Sequence, residues 1–314
     1  MRALVVTNMF PTPDRPAFGS FVRDQVEALR RLPGIELELE VIAQGSPVAY
    51  ARAARDLRRR YGRSRFDVVH AHFGLSAWPA LRVPARVHGV TLHGTDVSHP
   101  RSRAITLAAL RRMDLVAAVS KELAGQLPRW STREPVRILP CGADLDRFRP
   151  IDRAEARSAL GLDPAQPYLL FPADPGRPEK RHDLASALAA RVDVRLLTLG
   201  TVAPDQVPLY VNAANAVLVP SDREGFGLAV VEALACDVPV LATPHGVAPE
   251  ALGSVGGTLC GPFSVDVWAA ALRPHIAGDD PRIEGRAVAE RYSADAMARK
   301  VAAAWEELLA ASRR

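Results

Sequence analysis

The chain has little of what defines several common classes of protein. Its 314 residues include 3 cysteines, which are too far apart and too few for a disulfide framework and favour a reducing, cytoplasmic location. No apolar run approaches the roughly 20 residues that span a bilayer. The opening segment, MRALVVTNMFPTPD, has too short an apolar stretch for a signal peptide. We therefore expect a globular, cytoplasmic protein of two ordinary domains.

Lysine is also scarce, because it stands only at positions 121, 180 and 300, and arginine supplies most of the net charge of +5. The densest basic cluster covers residues 52–65, RAARDLRRRYGRSR. Such a cluster either contacts anionic lipid headgroups at the inner face of a membrane or forms a solvated helix face, and the sequence leaves both open. No DNA- or RNA-binding motif accompanies the basic excess, so nucleic acid is not an expected partner.

The most informative stretch covers residues 220–250, PSDREGFGLAVVEALACDVPVLATPHGVAPE. An apolar run ends at its start, and the pattern then predicts a turn, a helix over 228–236 and a second buried strand over 239–243. Gly225 and Gly227 allow the turn to bend tightly and to approach a ligand closely. A strand, glycine turn and helix in this order place a helix N-terminus beside a bound phosphate.

Two carboxylates belong to this unit. Glu224 lies in the turn and Glu232 follows eight positions later in the helix. That spacing puts them about 80° apart in projection, so both can face one crevice if the turn folds back. Since a carboxylate can accept from both hydroxyls of a vicinal diol, one could hold a ribose and the other a sugar. The alternative is that Glu224 is an ordinary turn residue and Glu232 a solvated helix residue, with no ligand for either.

A pair of cations follows the predicted strand at 168–171. Arg177 and Lys180 stand just before a helix that begins near His182. This arrangement suits a diphosphate, because arginine can bind an anion in a bidentate way and lysine acts as a point charge. A basic surface turn is the alternative interpretation.

Residues 1–150 alternate short apolar runs with helical patterns, which predicts a parallel sheet covered by helices. Ligands bind at the carboxyl ends of such strands. Gly19 follows the first strand and could serve a phosphate-approach turn. His70 and His72 follow a later strand, but no third ligand at metal-binding spacing completes them, so we expect no metal there. His93 ends the next strand, either as a core histidine or as a site residue.

The stretch 220–250 resembles the donor-site motif of the retaining glycosyltransferases of family 4, which has two glutamates eight apart, then A-x-A-C-x-x-P-V-x-A-T and a final G-x-x-x-E. The matching residues are Glu224, Gly225, Phe226, Gly227, Glu232, Ala233, Ala235, Pro239, Val240, Ala242, Thr243, Gly246 and Glu250. The family usually has glycine where this chain has Asp237 and Val247.

Two further segments are similar to the same family. Arg177, Glu179 and Lys180 match its G-R-x-x-x-E-K-G loop, with Arg181 in place of the last glycine. Residues 139–150, LPCGADLDRFRP, resemble its interdomain segment, with a cysteine in place of the usual asparagine. The resemblance covers nearly the whole chain and is stronger in the second half.

The resemblance implies an α/β protein of GT-B fold, with two Rossmann-like domains whose parallel sheets face a central cleft. The expected domains are an acceptor-side domain over 1–150, a nucleotide-sugar domain over 151–290, and a C-terminal helix over 291–314 that crosses back to the first domain. The short chain also resembles a compact branch associated with teichuronic acid and other cell-envelope polysaccharides.

The implied activity is transfer of a sugar, with retention of configuration, from a nucleoside-diphosphate sugar to an acceptor hydroxyl. A UDP-sugar is favoured and a GDP-sugar is possible, and the acceptor is a cell-envelope glycan or a lipid-linked molecule. Two fixed cations at the diphosphate imply that no divalent metal and no other cofactor is required.

The resemblance also assigns roles to individual residues. The expected catalytic residues are His93, Arg177, Lys180 and Glu224, and Asp96 is expected to face the acceptor. Arg177 and Lys180 would hold the diphosphate, Glu232 the ribose and Glu224 the transferred sugar. The expected donor-binding residues are Gly19, Arg177, Lys180, Val202, Glu224, Gly225, Phe226, Gly227, Leu228 and Glu232.

Three other functions fit parts of this pattern. A glycoside hydrolase would use two carboxylates, although the diphosphate-binding cations and the strand–turn–helix setting count against it. A Rossmann dehydrogenase would need G-x-G-x-x-G after an early strand, and the sequence has none there. A catalytically silent nucleotide-sugar-binding subunit would share every motif, so activity alone distinguishes it.

Overall fold

The computed structural model describes residues 1–43, 45–277 and 282–312. The chain forms two compact units: the first contains Met1–Gly142 and Ala294–Arg314, and the second contains Ala143–Ser293. Each unit holds one parallel β-sheet covered by helices, as the alternating pattern predicts. Within the described residues, no helix has the length and apolar content needed to span a bilayer.

The strands of the first unit are short, and the central ones are apolar. They are β1 (Arg2–Thr7), β2 (Glu36–Val41), β3 (Phe66–His72), β4 (Ala85–Leu92), β5 (Leu115–Ala118) and β6 (Arg137–Ile138). They form a six-stranded sheet in the order β2-β1-β3-β4-β5-β6, with every pair parallel. The central strands are buried on both faces, which explains why their apolar runs are continuous rather than alternating.

Helices of the first unit follow the strands. They are α1 (Ser20–Arg31), α2 (Pro47–Tyr61), α3 (Ala77–Ala80), α4 (Thr95–Ser98), α5 (Pro100–Leu110) and α6 (Lys121–Gly125). Most of the arginine-rich cluster lies on α2, which buries Leu57 and Tyr61 and leaves its arginines exposed. Tyr61 donates to Glu40 Oε1 at 2.7 Å, and Arg60 pairs with the same carboxylate.

The second unit has a five-stranded parallel sheet. Its strands are β7 (Tyr168–Phe171), β8 (Arg195–Thr198), β9 (Ala216–Val219), β10 (Val240–Ala242) and β11 (Leu259–Cys260), in the order β11-β10-β9-β7-β8. From β7 the chain passes to β8 on one side and then to β9 on the other. The loops that follow β7 and β9 therefore diverge, and this is where open α/β sheets form a ligand crevice.

Seven helices cover this sheet among the described residues. They are α7 (Arg153–Ala159), α8 (His182–Val192), α9 (Val207–Ala213), α10 (Leu228–Ala235), α11 (Ala248–Leu252), α12 (Val265–Ile276) and α13 (Arg286–Ala289). The predicted strand, helix and strand of the most informative stretch are β9, α10 and β10. The apolar core includes Leu169, Leu218, Leu241 and Trp268, all fully buried.

Residues 143–150, which the sequence pattern groups with the first domain, pack in the second unit. Arg286 explains this placement, because its guanidinium donates to the carbonyl oxygens of Leu145 and Phe148, both at 3.0 Å. The backbone N–H of Ala143 also donates to Tyr292 O at 2.9 Å. These bonds hold the segment against the end of the second unit.

The last helix, α14 (Ala294–Ala311), belongs to the first unit, where it packs against α1 and β4. Its apolar face carries Trp305, which is fully buried. Two ion pairs support the helix ends: Arg31 with Asp295 at 2.7 Å, and Arg137 with Glu307. The amphipathic pattern of this stretch thus corresponds to a helix that completes the first core.

Candidate functional site

The loops after β7 and β9 meet through one ion pair. Lys180 Nζ donates to both carboxylate oxygens of Glu224, each at 2.7 Å. Ser221 Oγ donates to Glu224 Oε1, also at 2.7 Å. The two charged side chains are largely shielded, with 16% and 10% of their surface exposed. The pair lies at the diverging loops of the second sheet, where a ligand crevice is expected.

Backbone contacts hold these two loops in register. Asp222 N donates to Glu179 O at 2.9 Å, which joins the loop after β9 to the loop after β7. Lys180 itself ends a short 3₁₀ turn, and its N–H donates to Arg177 O at 3.0 Å. The Thr243 hydroxyl, at the end of β10, donates to Ser221 O at 2.6 Å. These hydrogen bonds therefore fix the two loops that carry Lys180 and Glu224.

Arg177 points to a different partner. Its guanidinium donates to Glu179 Oε1 from Nε at 3.0 Å and from Nη2 at 2.6 Å. Partial burial raises the pKa of Glu179, but the hydrogen bond from its own backbone N–H and the pairing with Arg177 outweigh this effect and hold the pKa below its ordinary value. Arg177 is more than half exposed, so its charge faces solvent beside the Lys180 loop.

Two positions of the motif require glycine for different structural reasons. Gly227 precedes α10 at φ 86°, and a Cβ there would meet no atom closer than Glu224 Cγ at 3.8 Å, so its backbone angle, not crowding, requires glycine. Gly246 lies at φ 62°, and a Cβ would come within 2.3 Å of Phe226 O. The loop after β10 therefore presses directly on the turn that carries Glu224.

Phe226 anchors that turn to the interior of the second unit. Its ring is buried and packs against Tyr292, with ring centroids 6.0 Å apart. Its carbonyl oxygen accepts from Val247 N at 2.7 Å. With Phe226 held inward, Gly225 and Leu228 lie on either side of the turn as α10 begins, and both are half-buried.

The remaining residues expected to bind the donor lie on neighbouring elements. Glu232 is half-buried in the second turn of α10. Val202 follows β8 in a turn closed by its N–H bond to Leu199 O at 3.2 Å. This turn packs on the loop after β7, because a Cβ on Gly200 would come within 3.2 Å of Pro175. Val202 is thus near the loop that leads to Lys180.

Two positions where the family usually has glycine adopt left-handed backbone angles here without glycine. Arg181 has φ 57° and Asp237 has φ 55°. Arg181 compensates with ion pairs to Asp183 and Asp222 at 2.8 and 2.9 Å. Asp237 Oδ1 accepts from two backbone N–H groups, those of Gly285 at 2.9 Å and of Arg286 at 2.8 Å. Side-chain bonds thus offset the strain that glycine would avoid.

In the first unit, His93 ends a chain of hydrogen bonds. His72 Nδ1 and His93 Nε2 are 3.0 Å apart, and the Gln25 amide nitrogen lies 3.4 Å from His72 Nε2. Because the amide NH₂ of Gln25 can only donate, His72 accepts at Nε2 and donates from Nδ1 to His93. His93 therefore carries its own proton on Nδ1, and its ring packs on Phe21 with centroids 4.8 Å apart.

A second chain fixes His70. The Trp305 indole N–H donates to His70 Nδ1 at 3.0 Å, and His70 Nε2 lies 2.8 Å from Thr91 Oγ1. An indole nitrogen can only donate, so His70 holds its proton on Nε2 and donates it to Thr91. His70 is therefore a core histidine with both ring nitrogens satisfied.

Burial keeps these histidines neutral. It lowers the pKa of His72 to about 4, and it lowers the pKa of His70 and of His93 well below the ordinary value, with the neighbouring histidines adding to the effect. Among the described residues, no group of three or more His, Cys, Asp or Glu side chains is placed to hold a metal ion.

Asp96 is completely buried and does not face solvent in this unit. Its carboxylate accepts from the backbone N–H groups of Gly74 at 3.2 Å, His93 at 3.2 Å and Gly94 at 2.9 Å. Burial raises its pKa to about 6, although these hydrogen bonds work in the opposite direction. The expected acceptor residue thus ties the loops after β3 and β4 together and positions His93.

Gly19 precedes α1 at φ 71°, and a Cβ there would come within 2.4 Å of the Met9 carbonyl carbon. Its close backbone approach is therefore made to the loop after β1. This internal packing is enough to explain why residue 19 is a glycine, without the phosphate-approach turn that the sequence suggested.

Sequence reasoning missed two residues that position the site. Ser221 holds Glu224, and the signal for it was its place in the turn after a buried strand. Gln25 orders the His72–His93 bond from α1, where a polar residue on the buried face of an amphipathic helix was the available signal.

Two family models match the chain and together cover most of it. The model described as Glycosyltransferase Family 4 matches residues 6–147, and the model described as Glycosyl transferases group 1 matches residues 174–292. The first match lies within the first unit except for its last residues, and the second lies within the second unit.

Curated relatives carry related names. A D-inositol 3-phosphate glycosyltransferase from Segniliparus rotundus is 32% identical over 78% of this chain and 67% of its own length. The protein of the same name from Mycobacterium marinum is 30% identical over 89% of this chain and 70% of its own, and the one from Nocardia farcinica is 32% identical over 69% and 60%. The chain thus spans roughly two thirds of the length of these relatives.

Solved structures show the same fold. Sucrose-phosphate synthase from Thermosynechococcus elongatus has a TM-score of 0.71 at 19% identity, over 99% of this chain and 100% of that one. Anabaena HepE in complex with UDP and glucose has a TM-score of 0.72 at 16% identity, over 97% and 99%. With the two parallel sheets and the two family matches, these comparisons establish that the chain belongs to the GT-B glycosyltransferases, with a family 4 domain followed by a group 1 domain.

Proposed function

We propose that this protein is a retaining glycosyltransferase that moves a sugar from a nucleoside-diphosphate sugar to an acceptor hydroxyl. The observation that carries the proposal is the shielded Lys180–Glu224 pair at the diverging strand ends of the second sheet. An ammonium group has three N–H donors, and Glu224 takes two of those on Lys180, which leaves one for a phosphate oxygen. Glu224 in turn keeps acceptor capacity for the hydroxyls of the transferred sugar.

The chemistry requires that negative charge on the departing diphosphate be stabilised. Lys180, the exposed Arg177 and the free N–H groups at the start of α10 supply fixed positive charge and dipoles for this purpose. Removing one such donor typically raises the barrier by about 3 kcal/mol. Because these cations are part of the fold, the proposed reaction needs no divalent metal.

For the donor we favour a UDP-sugar over a GDP-sugar. The similar Anabaena HepE is described in complex with UDP, with UDP and glucose, and with UDP-glucose. Glu232, on the helix that begins at the motif turn, is the proposed ribose ligand. His93 remains a prediction from the resemblance, as a donor of one hydrogen bond from Nδ1 to the sugar.

For the acceptor we propose a hydroxyl on a cell-envelope glycan or a lipid-linked molecule, as in the compact branch associated with teichuronic acid. The names of similar proteins include a D-inositol 3-phosphate glycosyltransferase and a lipopolysaccharide outer core galactosyltransferase. The exposed arginines of α2 suit peripheral contact with an anionic membrane surface at its cytoplasmic face.

Nucleotide binding is the first test. Thermal-shift and calorimetric titrations with UDP, GDP and ADP should show binding of one nucleoside diphosphate, and Lys180→Ala should weaken it by about 100-fold. Lys121→Ala, which removes an exposed lysine of the first unit, is the matched control and should bind like the parent. Binding of no nucleotide to folded protein would overturn the proposal.

Turnover is the second test. UDP-sugars should be consumed only when an acceptor is present, and proton NMR of the product should show the anomeric configuration of the donor. Nucleotide binding without turnover across an acceptor panel would favour the silent binding subunit. Hydrolysis of glycans without any nucleotide would favour a glycoside hydrolase.

A further inference from the structure

A cavity of about 620 Å³ opens in the first unit between α2, α3 and α5. Its walls come from the segments that follow successive strands: Tyr50 after β2, Leu75 and Trp78 after β3, and Ile105 beyond β4. The Tyr50 hydroxyl also accepts from Asn8, which follows β1, at 2.7 Å. The cavity thus lies on the carboxyl edge of the parallel sheet, and its volume is in the range of small-molecule sites.

The inner wall of this cavity is apolar and preformed. Trp78 is held by its indole N–H bond to Ile105 O at 3.1 Å and by Arg112, whose guanidinium lies 5.1 Å from the ring centre. Ile105 lines the cavity and leaves 45% of its surface exposed. Trp78 and Ile105 therefore offer a fixed surface for an apolar chain.

The rim of the cavity is cationic. Arg82 and Arg101 lie along it, both exposed, and the residues that line the cavity include no aspartate or glutamate. Within the part of the chain that the structure describes, neither Arg82 nor Arg101 has a side-chain hydrogen bond or an ion pair. Two unpaired guanidinium groups above an apolar wall match a molecule with an anionic head and an apolar tail.

The cavity is joined to the loop that carries His93. Asp96 accepts from Gly74 N and from Gly94 N, so one buried carboxylate fixes both the residue before Leu75 and the residue after His93. A ligand in the cavity would therefore lie on the same rigid edge as the histidine that the proposed function uses.

We propose that this cavity binds a single anionic amphiphile, with its apolar portion against Trp78 and Ile105 and its phosphate-type headgroup between Arg82 and Arg101. The inference rests on the proposed function, for which it specifies the acceptor class as a membrane-borne anionic lipid. The exposed arginines of α2 are not among the residues that line the cavity, and they add favourable potential at a vesicle surface rather than for a dissolved monomer.

The test uses the full-length chain and three probes: phosphatidylcholine vesicles with and without phosphatidylglycerol, short-chain phosphatidylglycerol as a monomer, and inorganic phosphate. The parent should bind the anionic vesicles and the monomer but not phosphate alone. Arg101→Glu and Ile105→Asp should each weaken binding of the monomer by about tenfold or more. Saturation by inorganic phosphate with equal affinity would overturn the amphiphile and leave a simple anion site.

Two variants control for charge and for apolar surface. Arg59→Glu reverses an exposed charge on α2 outside the cavity, and Val267→Asp alters an apolar side chain of the second unit that is 55% exposed. Both should bind the monomer like the parent. If Arg59→Glu weakens monomer binding as much as Arg101→Glu does, the attraction is diffuse and the cavity is not the site.

Tryptophan quenching locates the bound chain. In a Trp130→Phe background, which removes the tryptophan that is 62% exposed, brominated phosphatidylglycerol should quench Trp78, because Trp268 and Trp305 are fully buried. No quenching at saturation would overturn the proposal. UDP titration of the same variants separates the two hypotheses. UDP binding without amphiphile binding overturns only this inference, whereas amphiphile binding without UDP binding overturns the proposed function and the acceptor role but leaves the amphiphile site.

Discussion

Lys180 Nζ lies 2.7 Å from each carboxylate oxygen of Glu224, so a single ammonium group joins the loops after β7 and β9. The pair is mostly shielded from solvent, and Ser221 satisfies a further lone pair of Glu224. A shielded pair with supporting hydrogen bonds is costly to break on one side only, because the remaining charge stays desolvated.

A double-mutant cycle on this pair gives the first prediction. Lys180→Met should lower the free energy of unfolding by about 2 kcal/mol, because Glu224 then keeps only the Ser221 bond. Glu224→Gln in the same chain should recover part of that loss, giving a coupling of about 1 kcal/mol or more in urea denaturation. Strictly additive effects would contradict a direct pair. Lys180→Met and the double variant should lose UDP binding, whereas Glu224→Gln alone should keep UDP binding and weaken binding of the UDP-sugar, because Lys180 is the proposed diphosphate ligand and Glu224 the proposed sugar ligand.

The second prediction concerns Gly246. Gly246→Ala places a methyl group within about 2.3 Å of Phe226 O at φ 62°, so the turn that carries Glu224 must shift. We expect the UDP affinity to fall by about tenfold or more and the free energy of unfolding to fall by about 2 kcal/mol. Gly261→Ala, where a Cβ would meet nothing within 4 Å, is the control and should match the parent in both measurements.

The third prediction compares the two left-handed residues that replace family glycines. Arg181→Gly relieves about 1 kcal/mol of backbone strain and loses exposed ion pairs worth less than that, so the stability should change little. Asp237→Gly relieves the same strain but leaves the N–H groups of Gly285 and Arg286 without their acceptor. It should lower the free energy of unfolding by about 1–2 kcal/mol.

Asp237→Asn separates the effect of backbone strain from the effect of the lost hydrogen bonds. Asparagine tolerates left-handed backbone angles and keeps one oxygen acceptor, so it should stay within about 1 kcal/mol of the parent by urea denaturation. If Asp237→Gly proved as stable as the parent, the bonds to Gly285 and Arg286 would carry no net stability.

The sequence predicted the parallel α/β units and the strand–turn–helix of the motif because continuous apolar runs and glycine turns are local signals. It also predicted that Lys180 and Glu224 belong to one site. It assigned them to different parts of the donor, since a contact between residues 44 positions apart depends on how β7 and β9 are ordered in the sheet. Periodicity within one element contains no information on that order.

Local sequence patterns also did not predict which polar side chains are buried. Asp96 follows a strand end and was expected to face an acceptor, yet three backbone N–H groups enclose its carboxylate. His70 similarly has a partner in Trp305, which lies 235 positions away on the last helix. Only the packing of α14 on the first sheet brings those two side chains together.

The fourth prediction tests that packing. Trp305→Phe removes the donor to His70 Nδ1 and part of a fully buried ring, so the first unit should lose about 2–4 kcal/mol of stability. Trp130→Phe changes a tryptophan that is 62% exposed and should stay within about 0.5 kcal/mol of the parent. Equal effects in thermal or urea unfolding would contradict a structural role for the indole N–H.

The fifth prediction is that the first unit loses stability in mild acid. Below pH 6.5 the unfolded chain takes up protons on His70, His72 and His93, whereas the folded unit keeps them neutral, so stability falls as the pH decreases toward about 4. For His72 alone, a pKa lowered from 6.5 to about 4 corresponds to about 3 kcal/mol. Urea denaturation at a series of pH values between 7 and 5 measures this slope.

Asp96 changes the free energy of unfolding with pH in the opposite direction to the histidines. Its pKa of about 6 lies above the ordinary 3.8, so the folded unit binds that proton more tightly and gains stability as the pH falls from about 6 to 3.8. Three histidines against one carboxyl leave a net loss in acid. His72→Gln should reduce the slope by about 1.4 kcal/mol per pH unit. A slope unaffected by His72→Gln would show that the buried histidines do not control acid stability.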